Sequence, residues 1–583
     1  MTTSDYIFKF LQEYGCKTVY MVSGSSAMWL TDALQRNQSL KAVCCNHEQA
    51  AAMSADGYGR VNGIPGACLV TIGPGATNAI TGVAQAYLDS SPMFIISGQA
   101  NSKLLKYASE TGIRQQGCQS INLEPMVRPI TKYFAAVMNA DDIPQIMNDA
   151  YHAAMEGRRG PVWIDVPIDI QNKQVSESYI INVKTRPFVK PILNRFDVDK
   201  VTELIQNSNK PLILAGYGVR SSNSVSILKK ICDRCDIPVV TSRGGLDVIE
   251  SDSQYYVGRP GSYGDRASHF AIQEADLLLI LGSRLSISTI GYYPARFGRN
   301  AVKIMVDIDE KELDKEEVPI EYKIKADLLD FLEALYEKFK DKKLSHSDWL
   351  RHCIDYKKKY PTVSEDYKLE EPLNEYYVTS IISECAPESA NIVVDTGSVC
   401  NVVSQSWKIK GNQRYLISGG LSCMGFWATA MGAFQKGKAL IAIAGDGSTQ
   451  MNIQEFATIK YYHIPIKLFI YNNNGYMLIR HNQHNYMNDR FLGVGPDCGV
   501  QTPDFCKVAN AYGIESVRVE QRTELNEKVK YVMESNQPMI CEIICQEFAP
   551  IVPRIASRVM PDGSLKAAEF EDLFPFLDER GTK

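Results

Sequence analysis

Two strand-and-turn units late in the chain limit its fold more than any other feature. Ala439 to Ala444 and Ile466 to Tyr471 are short apolar runs of the length that suits a buried strand. The first runs into Gly445-Asp446-Gly447-Ser448, the second into Asn472-Asn473-Asn474-Gly475-Tyr476. Turns of glycines and small oxygen-bearing side chains at the carboxyl ends of parallel strands are where open α/β sheets hold phosphates and metals. Asp446 offers a hard anionic oxygen, Asn473, 27 residues on, a neutral amide oxygen, and Gly475 a backbone carbonyl. With two diphosphate oxygens and a water, these make an octahedral Mg²⁺ site. Gly445, Gly447, Ser448 and Tyr476 are candidate contacts to the phosphate. A helix expected from near Gln450 would point its amides at it. A lone Gly-Asp-Gly is also what an ordinary strand-to-helix turn produces, so the pairing at this spacing carries the argument.

At 583 residues the chain is too long for one core, and about three domains are expected. From Thr3 to about Val183, helices (Asp5 to Tyr14, Glu48 to Asn62) alternate with strands (Thr18 to Val22, Ala67 to Ile72, Met93 to Ser97, Val162 to Val166). Such alternation predicts a parallel sheet covered on both faces. A second unit has strands at Pro211 to Ala215, Pro238 to Thr241, Leu277 to Leu281 and Lys303 to Asp307. The charged stretch Glu337 to Leu369 reads as a solvated linking helix. A third unit ends on a strand from Met539 to Cys545. The expected fold is therefore α/β, with three doubly wound parallel-sheet domains over 1–183, 190–340 and 365–548. The Pro-containing tail, 549–583, is expected to wrap over a surface. The first and third units are similar in layout, as if one sheet design were used twice.

The balance of charge excludes some partners. A net charge of −5 gives no footprint for nucleic acid or anionic membrane, and no run of eighteen apolar residues occurs. The start, Met1-Thr2-Thr3-Ser4-Asp5, lacks the basic and apolar regions of a signal peptide. Fifteen cysteines scattered through apolar runs suit reduced, buried thiols in a cytoplasm. Cys232-Asp233-Arg234-Cys235 is formally a CxxC, but it falls on a helical stretch, Val225 to Cys235, with no second pair at zinc spacing.

The Gly-Asp-Gly and Asn-Asn pair resembles the diphosphate-binding motif of thiamine diphosphate enzymes. Asn46-His47-Glu48-Gln49-Ala50-Ala51-Ala52-Met53 resembles the stretch whose glutamate hydrogen-bonds N1′ of the cofactor's aminopyrimidine, which assigns that part to Glu48. A carboxylate opening an Ala-rich helix also complements the helix dipole. A carboxyl group shielded from water is nonetheless suited to hand a proton to a ring nitrogen. Glu48 and Asp446 lie about 400 residues apart. In the family they meet across a subunit interface, so the resemblance implies a homodimer or homotetramer. Gly73-Pro74-Gly75-Ala76-Thr77-Asn78 resembles the segment of acetohydroxyacid synthases that packs beside the cofactor, making Gly75 and Asn78 candidates, with Ser25 a further one. Gln119 falls where that family keeps an active-site glutamine. By the same resemblance the Ser422 carbonyl accepts from the 4′-amino group. Met424 would be the wedge that keeps the cofactor bent, although a core methionine reads the same way. Segments carrying Gly216, Gly218, Gly261, Gly282, Arg284, Asp307 and Asp309 resemble those that hold FAD in the acetohydroxyacid synthase branch, and are equally ordinary strand ends.

The chemistry the family implies is decarboxylation of a 2-keto acid, pyruvate in the first instance, and transfer of the two-carbon fragment to a carbonyl acceptor. Departures fall on the acceptor side. Where acetohydroxyacid synthases carry an Arg facing the acceptor carboxylate, this chain has Ser288. Their pocket Trp corresponds to Asn482 and the Met of their GMHG segment to Ser262. His481 and His484 either line an acceptor pocket or lie in a surface loop. Without a bidentate Arg such a site has little to fix a carboxylate. Arg114 to Gln119 and Pro561 to Ser564, with Leu573 to Leu577, are similar to a subgroup tied to surface-polysaccharide pathways, such as the yersiniose-forming flavoenzyme. The expected reaction is thus a carboligation, with a nucleotide-linked keto sugar among the acceptors. Acetolactate synthesis from two pyruvates is the alternative, and a catalytically silent binding protein on the same fold is a third reading.

Overall fold

The computed structural model describes residues 1–559 and 565–577. Three six-stranded, all-parallel sheets account for the architecture. The first holds β1 (Thr18–Met21), β2 (Lys41–Cys44), β3 (Gly66–Val70), β4 (Met93–Gln99), β5 (Tyr133–Ala136) and β6 (Pro161–Pro167). The second holds β7 (Pro211–Ala215), β8 (Val239–Thr241), β9 (Tyr256–Gly258), β10 (Leu277–Leu281), β11 (Val302–Asp307) and β12 (Tyr322–Lys325). The third holds β13 (Ala390–Val394), β14 (Arg414–Ile417), β15 (Ala439–Gly445), β16 (Ile466–Asn472), β17 (Glu515–Val519) and β18 (Met539–Ile544).

The first sheet runs β2-β1-β3-β4-β6-β5 and the third β14-β13-β15-β16-β18-β17. These are the same order, so one sheet design is indeed used twice. The middle sheet runs β9-β8-β7-β10-β11-β12, the order of a dinucleotide-binding doubly wound fold, whose crevice opens where the order reverses, between β7 and β10. Central strands such as β3, β7 and β10 are buried along their whole length, which is why their sequences are unbroken apolar runs.

A continuous apolar core joins the first and third sheets, and the helix Glu48–Asn62 lies across it. That helix meets the segment Thr429–Gly432 almost backbone to backbone. A Cβ on Gly57 would lie 2.2 Å from the Thr429 carbonyl oxygen, and one on Gly432 1.6 Å from that of Ser54. Only glycine permits this approach. Asn46 and Glu455 extend the contact, the Asn46 amide donating to the Glu455 carboxylate at 3.0 Å.

The stretch Glu337 to Leu369 is not one solvated helix. A helix Leu328–Phe339 ends, and a second, Ser347–Lys359, buries Trp349 and Cys353 against the middle unit. Trp349 Nε1 donates to the Pro211 carbonyl at 3.0 Å. The tail is not purely superficial either. Phe570 is buried in the middle unit's core, and its carbonyl lies 2.6 Å from His269 Nδ1. Pro561 to Ser564 lies outside the described residues. Among the described residues no helix is long and apolar enough to cross a membrane, and all fifteen cysteines are unpaired.

Candidate active site

The strand β15 delivers Asp446 into a helical turn that begins at Asp446 itself, four residues earlier than expected. Asp446 is buried, and its carboxylate accepts from the Gly447 and Gly475 amides, each at 2.8 Å. The Gly475 contact ties the turn after β15 to the turn after β16, which brings Asn473 alongside. Asn473 is also buried. Its Nδ2 donates to Glu375 at 2.9 Å, while its Oδ1 has no hydrogen-bond partner. One Glu375 carboxylate oxygen is similarly unpartnered. Burial pushes both the Asp446 and Glu375 carboxyls up to about 7, against the amides that hold them down. Buried carboxylates and an orphaned amide oxygen make a donor set short of positive charge. A hard divalent cation supplies that charge, and the residues fit one.

Gly447 makes room for a neighbour. A Cβ there would lie 2.2 Å from the Tyr476 ring, so its lack of a side chain admits Tyr476. Ser448 Oγ accepts from the Gly425 amide at 2.8 Å, linking the turn to the segment carrying Ser422 and Met424. Ser422 has φ of +56° and stands exposed, while Met424 is half-buried. Three residues that local patterning does not flag hold this arrangement. Glu375 orients Asn473. Asp395 accepts from the Trp427 amide. Arg480 clamps the Asn473, Asn474 and Val494 carbonyls at 3.2, 2.8 and 3.0 Å.

A second cluster forms at the carboxyl ends of the first sheet. Glu48 opens its helix, and Asn78 Nδ2 donates to its carboxylate at 3.0 Å. Gly75 lies against both Glu48 and Thr71, Gly24 packs on Thr71 next to Ser25, and the Gln119 carbonyl packs on Gly73. Glu48, Gly75, Asn78, Gln119 and Ser25 thus come together, with the Thr71 hydroxyl left unpartnered among them. Among the described residues, the Glu48 carboxylate and the Asp446 donor set share no hydrogen-bond partner.

A third feature is a cavity of about 510 Å³ at the reversal point of the middle sheet. Gly218, Gly282, Arg284 and Asp307 line it, together with Ser288 and Ser422. Gly216 packs on the Gly282 carbonyl instead, and Gly261 on that of Ser288. The Asp309 carboxylate caps a short helix at Lys311 and pairs with Arg158 at 3.0 Å, outside the cavity lining. Burial pushes the Asp307 carboxyl up to about 6. Arg243 also lines the cavity and keeps an unpartnered Nε. A cationic, partly polar crevice of this size fits a dinucleotide.

The acceptor-side residues converge in part. The Ser262 amide donates to the Ser288 carbonyl at 3.0 Å. His481 stacks on Phe548 at 4.4 Å between ring centroids, and its Nε2 is unpartnered, whereas Asn482 is exposed. Burial pushes the His481 imidazole down from its ordinary value, and the Arg554 charge adds to this.

Family models agree with this geometry. The thiamine pyrophosphate enzyme N-terminal TPP binding domain matches residues 1–123, the central domain 198–335, and the C-terminal TPP binding domain 395–543. The chain belongs to the thiamine pyrophosphate enzyme family. It is 32% identical to the probable acetolactate synthase large subunit of Methanocaldococcus jannaschii, over the full length of both chains. It is 30% identical to the acetolactate synthase large subunit of Lactococcus lactis, covering 96% of this chain and 95% of that one. It is 28% identical to the acetolactate synthase isozyme 2 large subunit of Escherichia coli, covering 96% and 98%. The expected fold and the acetolactate synthase-like branch are therefore found, and the chain is a thiamine diphosphate-dependent enzyme of carboligase type.

Proposed function

We propose that the chain decarboxylates a 2-keto acid, pyruvate in the first instance, and joins the two-carbon fragment to a second 2-keto acid, as its relatives' names indicate for them. The observation that carries the thiamine diphosphate reading is the unpartnered Asn473 Oδ1 facing the same site as Asp446. Asp446, Asn473 and the Gly475 carbonyl would hold Mg²⁺, and through it the diphosphate. Thiamine diphosphate, when bound, supplies a nucleophilic carbon that adds to the keto group and takes up the electron pair as CO₂ leaves. Glu48, oriented by Asn78, would hold a proton at the aminopyrimidine N1′. The Ser422 carbonyl would accept from the 4′-amino group, Met424 would keep the two rings close, and Gln119 would face the donor. The middle cavity would take FAD through Gly218, Gly282, Arg284 and Asp307, with no redox part assigned to it.

In the family the counterparts of Glu48 and Asp446 meet across a subunit interface, so the working unit proposed here is a homodimer or homotetramer. The domain limits 1–183, 190–340 and 365–548 belong to the same proposal, as does a cytoplasmic setting. A second reading, transfer to a keto sugar, is favoured by the exposed Ser288 where the relatives' branch has an Arg. Incubating the protein with labelled pyruvate, alone and with nucleotide-linked 4-keto sugars, tests both. Labelled acetolactate from pyruvate alone supports the main reading. A labelled sugar product with no acetolactate would replace it, and failure to release CO₂ under any condition would sink both.

A further inference from the structure

Ser288 removes a cation from the acceptor side, yet the structure places another beside it from a distant part of the chain. The Ser262 amide donates to the Ser288 carbonyl at 3.0 Å, and the Ser262 carbonyl in turn accepts from the Ile555 amide at 2.8 Å. The tail is thus stitched along the edge of this pocket, and Gln405 Nε2 fixes it two residues earlier, at the Pro553 carbonyl, 3.0 Å away. Between these two anchors lies Arg554. Its backbone is held by Phe574, and its guanidinium sits 5.5 Å from the Phe574 ring centroid. Among the described residues that guanidinium has no carboxylate partner and no hydrogen bond, unlike Arg558, which is paired with Asp572 at 2.6 Å. It is half-buried, and its charge acts on both Tyr263 and His481. His481 contributes its own unpartnered Nε2 on the helix Met477–Met487, immediately after the Asn473 turn.

We propose that Arg554 is the residue that binds the anionic group of the carbonyl acceptor, with His481 Nε2 as a second hydrogen-bonding group. An unpaired guanidinium held half out of water over an aromatic ring is suited to a planar carboxylate, which it can engage through two parallel N–H bonds. A phosphate on a sugar acceptor would use the same donors. Local patterning misses the residue because the family resemblance points for a cation to the turn after β10, while Arg554 comes from the carboxyl-terminal segment. The inference rests on the proposed carboligation and concerns only its second substrate.

The test is Arg554→Gln in the full-length enzyme loaded with thiamine diphosphate and Mg²⁺, with CO₂ release and carboligated product measured in the same reaction. Arg554→Lys and Arg558→Gln accompany it. Product formed per CO₂ released is expected to fall about tenfold to a hundredfold in Arg554→Gln, the range for losing a charge-assisted hydrogen bond. The loss should appear as a raised acceptor KM, with partial recovery in Arg554→Lys or on adding guanidinium ion, and no change in Arg558→Gln. Pyruvate and a nucleotide-linked keto sugar as separate acceptors show whether a carboxylate or a phosphate is recognised. An unchanged ratio, or equal losses in Arg554→Gln and Arg558→Gln, would overturn the proposal. Absence of CO₂ release from the unmutated enzyme would instead overturn the underlying reaction.

Discussion

A Cβ on Gly447 would lie 2.2 Å from the Tyr476 ring, and both residues belong to turns that carry the candidate metal donors. Gly447→Ala must therefore displace one turn from the other. We expect it to cost about 1–3 kcal/mol, the range for overpacking a tight contact, and to weaken Mg²⁺-dependent cofactor binding. Adding Tyr476→Ala should restore part of the binding. A Gly447→Ala protein with unchanged melting temperature and cofactor affinity would contradict this account of the glycine. For Glu48 the proposed part is chemical. Glu48→Gln should lower turnover by at least about a hundredfold while thiamine diphosphate still binds, as calorimetry would show. Asp446, Asn473 and Glu48 stand out in the sequence because the chemistry sits in short local strings. Glu375, Arg480 and Arg554 do not: Glu375 acts on Asn473, 98 positions away, Arg480 holds backbone carbonyls rather than a motif side chain, and nothing in the neighbourhood of any of the three marks it.

At the scale of elements, the helix Glu48–Asn62 is the joint between the first and third sheets, and Glu455 secures its start. Burial pushes the Glu455 carboxyl up to about 7, against the Thr458 hydroxyl and the Asn46 and His47 amides. A carboxyl whose folded pKa is raised binds its proton more tightly in the folded state. Its stabilisation is fully present below the unfolded value near 4.5 and is lost as pH rises through about 7. Linkage puts this loss at up to about 3 kcal/mol. Glu455→Gln should therefore flatten the decline in melting temperature of the cofactor-free protein between pH 5 and 8, in the window set by that shift. An identical slope in both proteins would assign the pH dependence elsewhere. Which elements are legible follows from burial. The apolar strands β3, β7, β10 and β15, and β16 despite its Lys467, are readable from the residues alone. Edge strands are not: β2, β12 and β17 carry charged residues and expose part of their length, and β5, although apolar, is buried nowhere along its length. The helix Ser347–Lys359 reads as solvated because its lysines outnumber the two side chains, Trp349 and Cys353, that bury it.

On the scale of the whole molecule, the repeated sheet order gives two units with strand carboxyl ends of the same design, one carrying Glu48 and the other Asp446. Sequence reading reaches this duplication through the similar layout of the units. It misses the mutual fit of the two, because the approach at Gly57 and Gly432 is a property of their packing. If each working site takes Glu48 from one chain and Asp446 from another, inactive Glu48→Gln and Asp446→Ala chains should complement one another. Random reassembly of equal amounts gives half mixed dimers, each with one intact site of two, so about a quarter of full activity should return. No recovery after verified subunit exchange would place both residues in one chain's own site. The account as a whole stands on the turns after β15 and β16 acting together as a metal-dependent diphosphate anchor. Calorimetric titration of thiamine diphosphate into the unmutated protein and Asn473→Ala, with Mg²⁺ and after chelation, tests that most directly. Saturable binding that needs both Mg²⁺ and Asn473 is the predicted result; binding of equal strength without either would contradict it.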